Sequence, residues 1–140
     1  MAAVTRALGE RVQVVGDDLL VTRASRIAAA AEAGAGNAAL IKVNQAGTVS
    51  EARSALEAAR GLNWGTIVSA RSGETEDVTI AHLAVGWNAG QIKVGSFSRS
   101  ERMAKWNELL RIEEAMGSGG VFAGVDAFPP MVAAAVRRGA

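Results

Sequence analysis

Four short apolar runs recur along the chain: Val12-Gln13-Val14-Val15, Ala39-Leu40-Ile41-Lys42-Val43, Thr66-Ile67-Val68-Ser69 and Gln91-Ile92-Lys93-Val94. Three are rich in Val and Ile and lack strict alternation, the pattern of strands covered on both faces. The fourth is short and carries the weakest signal. The runs begin at positions 12, 39, 66 and 91. A spacing of about 26 residues predicts a repeated supersecondary unit.

Helical patterns fill the intervals. Arg23 to Glu32 is Ala-rich around Ile27. Ala52, Ala55, Leu56 and Ala59 mark one face of a second helix. Ile80, Leu83, Ala84 and Trp87 mark a third, and Met103, Trp106, Leu109 and Leu110 a fourth, running from about Ser100 to Met116. Thr48 with Glu51, and Ser98 with Glu101, have the spacing of capping boxes. Gly34, Gly61, Gly90 and Gly117 follow the four helices, where glycine commonly ends them. Met131 to Arg138, after Pro129-Pro130, predicts a short terminal helix.

The order is strand then helix, four times, with no hairpin signal. Such alternation predicts parallel strands joined by right-handed crossovers. A doubly wound sheet and a (β/α) barrel both fit. An eight-unit barrel takes about 250 residues, so 140 residues holding four units amount to about half of one. The expectation is a single domain over residues 1–140.

Composition narrows the chemistry. With no Cys there is no disulfide, thiolate metal site or Cys nucleophile, and the single His82 excludes a multi-His metal site. A net charge of +1 argues against non-specific nucleic-acid binding. No apolar run approaches the ~18 residues that cross a membrane, and no signal peptide is evident. The expected partners therefore include neither nucleic acid nor membrane, and the expected compartment is the cytoplasm.

Polar residues gather where the strands end. The first run leads to Asp17-Asp18, the second to Lys42 and Asn44-Gln45, the third to Arg71-Ser72, and the fourth contains Lys93. Ligands bind at the C-terminal strand ends in both candidate folds. An ammonium in a buried strand is costly unless it has a partner or a task. Two readings follow for Lys42 and Lys93: structural bridges to Asp17 or Asp18, or a site for an anionic ligand.

Five motifs carry a family resemblance. Val15-Gly16-Asp17-Asp18-Leu19-Leu20-Val21-Thr22, Leu40-Ile41-Lys42-Val43-Asn44-Gln45, Ser72-Gly73-Glu74-Thr75-Glu76-Asp77, Asn88-Ala89-Gly90-Gln91-Ile92-Lys93 and Leu109-Leu110-Arg111-Ile112-Glu113-Glu114 stand in order between about Val12 and Gly124. Together they resemble enolase, the glycolytic phosphopyruvate hydratase, a lyase. The matched stretch is similar to the C-terminal half of its barrel, and residues 125–140 form a divergent tail.

The resemblance implies an α/β fold of four βα units, half of an enolase-type (β/α)8 TIM barrel. It implies that Asp17 ligates Mg²⁺ and that Lys42 is the general base removing the proton alpha to the carboxylate. Arg71 and Ser72 would hold the substrate phosphate. Lys93 would bind the substrate carboxylate and stabilise the enolate. The residue types suit these tasks. An enolate needs strong electrostatic stabilisation, a guanidinium fork matches phosphate oxygens, and a carboxylate is a hard donor for Mg²⁺. The implied ligands are 2-phosphoglycerate, phosphoenolpyruvate and similar anions.

The chain also departs from the family. Its other two metal carboxylates, its hydroxide-expelling acid and its closing loops lie outside the matched half. An active-site His is expected where Ala70 stands, and one lost preorganised donor costs about 2.7–4 kcal/mol. Val94 replaces a usual Thr. His82 stands where the family has Asp, so its expected role is structural or incidental and not catalytic. The expectation is activity only when a missing half complements the chain. The alternatives are a non-catalytic module binding phosphorylated carboxylic acids and a structural or relic half-barrel. Open strand edges seek pairing, which predicts a homodimer about a two-fold axis or a complex with a complementing N-terminal enolase half. Otherwise the expectation is a flavodoxin-like open sandwich or a partly molten chain.

Overall fold

The computed structural model describes residues 1–139. A first helix, α1 (Ala2–Leu8), precedes a two-residue strand, β1 (Val15–Gly16). Helix α2 (Ala24–Glu32) leads to β2 (Ala38–Ile41), followed by the single turn α3 (Val43–Ala46) and helix α4 (Val49–Gly61). Then come β3 (Gly65–Ser69), α5 (Thr79–Gly86), β4 (Gly90–Lys93) and the long α6 (Ser100–Met116). Two 3-10 turns, Gly117–Gly119 and Gly124–Ala127, lead into α7 (Pro130–Gly139).

The four strands form one parallel sheet in the order β1-β2-β3-β4. That order decides between the two predicted architectures. A doubly wound sheet, flavodoxin-like forms included, reverses its strand order at a switch point, and this sheet does not. Sequential right-handed crossovers put the connecting helices on one face, as in a segment of barrel wall.

The two faces follow from the two-residue period of a strand. Ala39, Ile41 and Val68 point into a core shared with Ile27 and Ala30 of α2, Ala52, Ala55, Leu56 and Ala59 of α4, and Ala84 of α5. All four of the α4 residues are fully buried. The small side chains of the three alanines let α4 lie close to both the sheet and α2. Thr48 caps α4, its hydroxyl accepting the Glu51 backbone N–H at 3.1 Å and donating to Glu51 Oε2 at 2.9 Å. Removing such a cap typically costs about 1 kcal/mol.

Several boundaries differ from the predicted ones for identifiable reasons. The first strand shrinks to Val15–Gly16 because the Asn37 side chain takes over the backbone before it. Asn37 Oδ1 accepts the Val14 N–H at 2.7 Å, and Nδ2 donates to Gly9 O and Val12 O. Lys42 and Val43 leave β2 because the Lys42 N–H is drawn to the Thr22 hydroxyl at 3.0 Å and the chain turns into α3. Asn63 and Asn88, not Gly61 and Gly90, take the left-handed positions after α4 and α5. Gly90 (φ +79°) instead opens β4 where the Ala127 backbone lies against it, 3.3 Å from where a Cβ would stand. The Ser98–Glu101 box does not form. Arg99 precedes α6, and the Ser98 hydroxyl bonds to Ser96 Oγ at 2.6 Å.

The buried face of α6 is also unlike the expected one. Arg102 and Lys105 are buried, whereas Leu110 is largely exposed. Helix α1 has no buried residue, so no apolar period announced it. It is tied on by the Gly36 N–H, which donates to Thr5 Oγ1 at 2.8 Å.

Candidate functional site

The other face of the sheet carries the predicted chemistry. Val15 and Asp17, Leu40 and Lys42, Ile67 and Ser69, and Gln91 and Lys93 alternate with the core residues of their strands. Asp17, Lys42, Ser69 and Lys93 stand at or just beyond the C-terminal ends of their strands. A concavity of about 420 Å³ is lined by Val15, Asp17, Leu40, Ile67, Gln91, Ile92 and Lys93. Its floor is apolar, while Asp17 and Lys93 bring charge to it.

Lys42 Nζ donates to Asp17 Oδ1. The Lys42 side chain is 10% exposed and that of Asp17 39%. Lys93, expected to lie in a buried strand, is exposed at the open edge and makes no ion pair among the described residues. The bridge to Asp17 is thus present at Lys42, and Lys93 makes none among the described residues. Asp18 points to solvent.

The geometry at Lys42 depends on a neighbour that the apolar pattern did not single out. Thr22 is 1% exposed. Its hydroxyl accepts the Lys42 N–H and donates to Gln45 Oε1 at 2.9 Å. Val21 and Thr22 have φ of +45° and +52°. Two consecutive β-branched residues in the left-handed region are genuine outliers. Such strain persists only where the surroundings over-determine it, here through the bonds that Thr22 makes at the end of β2.

Arg71 and Ser72 follow β3 on an exposed loop, and neither lines the concavity. Their backbone is nonetheless fixed. The Arg71 N–H donates to Glu74 Oε1 at 2.6 Å, and Ser72 O accepts from Arg102 Nη2 at 3.0 Å. Ala70 is buried, and its N–H extends the sheet by donating to Lys93 O at 2.9 Å. The position expected to hold an active-site His therefore offers only backbone.

His82 lies away from this face, on α5. Its Nε2 pairs with Glu108 Oε1 of α6 at 2.9 Å, and Glu108 Oε2 accepts from Arg111 at 2.8 Å. The Arg111 bond, seconded by His82, holds the Glu108 carboxyl below its usual value. His82 thus links α5 to α6. At the start of α5, the Thr79 N–H donates to Asp77 Oδ1 at 2.9 Å. Hydrogen bonds from the Thr79 backbone and side chain lower the Asp77 carboxyl, with a smaller contribution from the Lys105 charge.

A Mg²⁺ ion takes about six oxygens in tight octahedral geometry. Among the described residues no group of three acidic, His or Cys side chains converges. Asp17 is the one carboxylate lining the concavity, and Lys42 already engages it. These residues do not by themselves make a Mg²⁺ site.

Sequential parallel βα units with polar side chains collected at their C-terminal strand ends define a segment of (β/α) barrel, a fold whose ligand sites lie at that end. Comparison with known families places the chain further. Residues 1–131 match the family described as "Enolase, C-terminal TIM barrel domain", and the chain belongs to that family. The match takes in α1 and the turn before Pro129, beyond the Val12–Gly124 stretch that the motifs covered. Among the described residues no helix is long and apolar enough to cross a membrane.

Proposed function

We propose that the inner face of this half-barrel binds phosphorylated carboxylic acids of the 2-phosphoglycerate and phosphoenolpyruvate type. In this reading it contributes the proton-abstracting side of an enolase-type dehydration, a lyase reaction. One observation carries the reading: three parallel strands deliver Asp17, Lys42 and Lys93 to the same end of one face. Lys93, exposed and without an ion-pair partner among the described residues, would take the substrate carboxylate. Arg71 and Ser72, on the loop beyond β3, would take the phosphate.

Lys42 is the amine paired with the carboxylate that lines the site. It acts as base at the carbon alpha to the carboxylate as the free amine, with its lone pair turned to that carbon once Asp17 is drawn off it. Loss of hydroxide from the neighbouring carbon needs an acid, and none of the residues assigned here provides one. Dehydration therefore requires a further part of the barrel. It would also bring the carboxylates that a Mg²⁺ site needs, which Asp17 alone does not complete. The unpaired edges of β1 and β4 are where an N-terminal enolase half or a second copy of this chain would dock.

A binding role without chemistry has its own support in buried Ala70, which removes a donor from the phosphate end. Two measurements separate the readings. Phosphoenolpyruvate titrated into the chain should bind, with Arg71→Ala and Lys93→Ala each weakening it. No binding near millimolar ligand overturns both readings. Dehydration of 2-phosphoglycerate after addition of an N-terminal enolase half selects catalysis, and its absence in a complex of confirmed assembly selects binding alone.

A further inference from the structure

The most deeply buried charge in the molecule lies outside the site described above. Lys105 of α6 is fully buried, and Arg102, one turn earlier, is 9% exposed. Burying cations is costly unless every donor is met. Here each finds acceptors on the loop after β3. Lys105 Nζ donates to Thr75 O at 2.5 Å and Glu101 O at 2.9 Å, and pairs with the Glu74 carboxylate, Oε2 at 2.9 Å. Glu74 relays the contact, its other oxygen accepting the Arg71 N–H at 2.6 Å. The Arg102 guanidinium spans two segments, donating to Ser72 O at 3.0 Å and to Val94 O at 2.9 Å.

We propose that Arg102, Lys105 and Glu74 are positioning residues that preset the anion-binding loop. They hold Arg71 and Ser72 at a defined distance from Lys93. Side chains fix three backbone groups within residues 71–75 (the Arg71 N–H, the Ser72 C=O and the Thr75 C=O), and two of those side chains come from α6. Val94 directly follows Lys93, so one rigid guanidinium sets the spacing between the proposed phosphate and carboxylate ends. Ligand length is thereby selected by a helix that does not touch the ligand. Without the lock, the exposed loop would have to order on binding, at a cost to affinity. What the loop recognises rests on the function proposed above; the lock itself does not.

Amide hydrogen exchange and phosphoenolpyruvate titration on the full chain test the two parts separately. In Glu74→Ala and Lys105→Met, the Arg71 amide should exchange about tenfold faster, the loss of one charge-assisted bond, while the Leu40 and Ile41 amides keep their rates. Glu74→Gln retains the acceptor and should restore the Arg71 rate to within about threefold. Affinity for phosphoenolpyruvate should fall about fivefold or more in Lys105→Met and stay near wild type in Glu74→Gln. An Arg71 amide that exchanges equally fast in wild type and Glu74→Ala overturns the lock. So does loop and sheet exchange rising together in every variant, since that marks general destabilisation. If wild type binds no phosphoenolpyruvate, the proposed function fails, and the exchange rates alone decide the lock.

Discussion

Replacing Asp17 by Ala tests how strongly the inner face depends on its one ion pair. Lys42 would keep a side chain that is 10% exposed and lose the only acceptor its Nζ has among the described residues. Breaking a fully buried pair costs about 3–5 kcal/mol, and an exposed pair is worth about 0–1 kcal/mol. Asp17 at 39% exposure lies between these limits. The lysine stem also lets the ammonium reach toward water, so about 1.5–3 kcal/mol is expected. For a chain of this size that lowers Tm by roughly 4–12 °C. Lys42→Met leaves a solvated carboxylate and should cost under about 1 kcal/mol. The double variant should recover much of the Asp17→Ala loss, giving a coupling of about 1–2 kcal/mol from denaturant midpoints at neutral pH. Additivity within about 0.3 kcal/mol would refute the reasoning, because the two groups would then not feel each other.

Other predictions bear on neighbouring features. Thr22→Val keeps the shape and removes the acceptor of the Lys42 N–H. It should lower stability by about 1–3 kcal/mol in urea unfolding, and Thr22→Ser should recover most of the loss. The lowered Asp77 carboxyl contributes stability that is complete above its ordinary value of 3.8 and lost as pH falls through its lower folded value. Asp77→Asn retains a capping side chain but not the charge, so it should lose that contribution at pH ~7 and flatten the acid limb of the stability curve below about pH 4. The open strand edges predict self-association or capture of an N-terminal enolase half, and sedimentation as a stable monomer at micromolar concentration counts against both.

Much of the fold was legible because its signals are local. Val and Ile runs at a constant spacing marked the sheet, and Thr48 with Glu51 marked the start of α4. The strand ends also pointed to Asp17, Lys42, Arg71, Ser72 and Lys93 before any geometry was known. What stayed hidden depends on groups that have no letter of their own. The apolar pattern of α6 put Met103, Trp106, Leu109 and Leu110 inward. The helix instead turns Arg102 and Lys105 inward, because carbonyls of a distant loop and of Val94 satisfy them. Nothing in the local sequence reveals where a loop carbonyl will point. A usable hint was present in the two cations three positions apart on α6, together with the acidic Glu74-Thr75-Glu76-Asp77 stretch. The shortening of β1 has the same origin, since the Asn37 amide substitutes for a ladder that Val12 and Gln13 were expected to make. Lys93 is exposed because β4 is an edge, which a single strand's composition does not disclose.

The strand order has a consequence for how the site comes into being. Asp17 and Lys42 lie 25 residues apart, the length of one unit. Adjoining polar positions of the inner face likewise come from consecutive units, so each is brought together by closing a loop of similar size. The entropy of closure grows only slowly with length and is nearly the same for each step. A chain emerging from the ribosome at about 5–20 residues per second delivers one such unit every few seconds. The Asp17–Lys42 contact therefore has its partners available first, and each later unit adds one wall to an existing edge. Assembly of the binding face is in this sense vectorial, running in the same direction as synthesis.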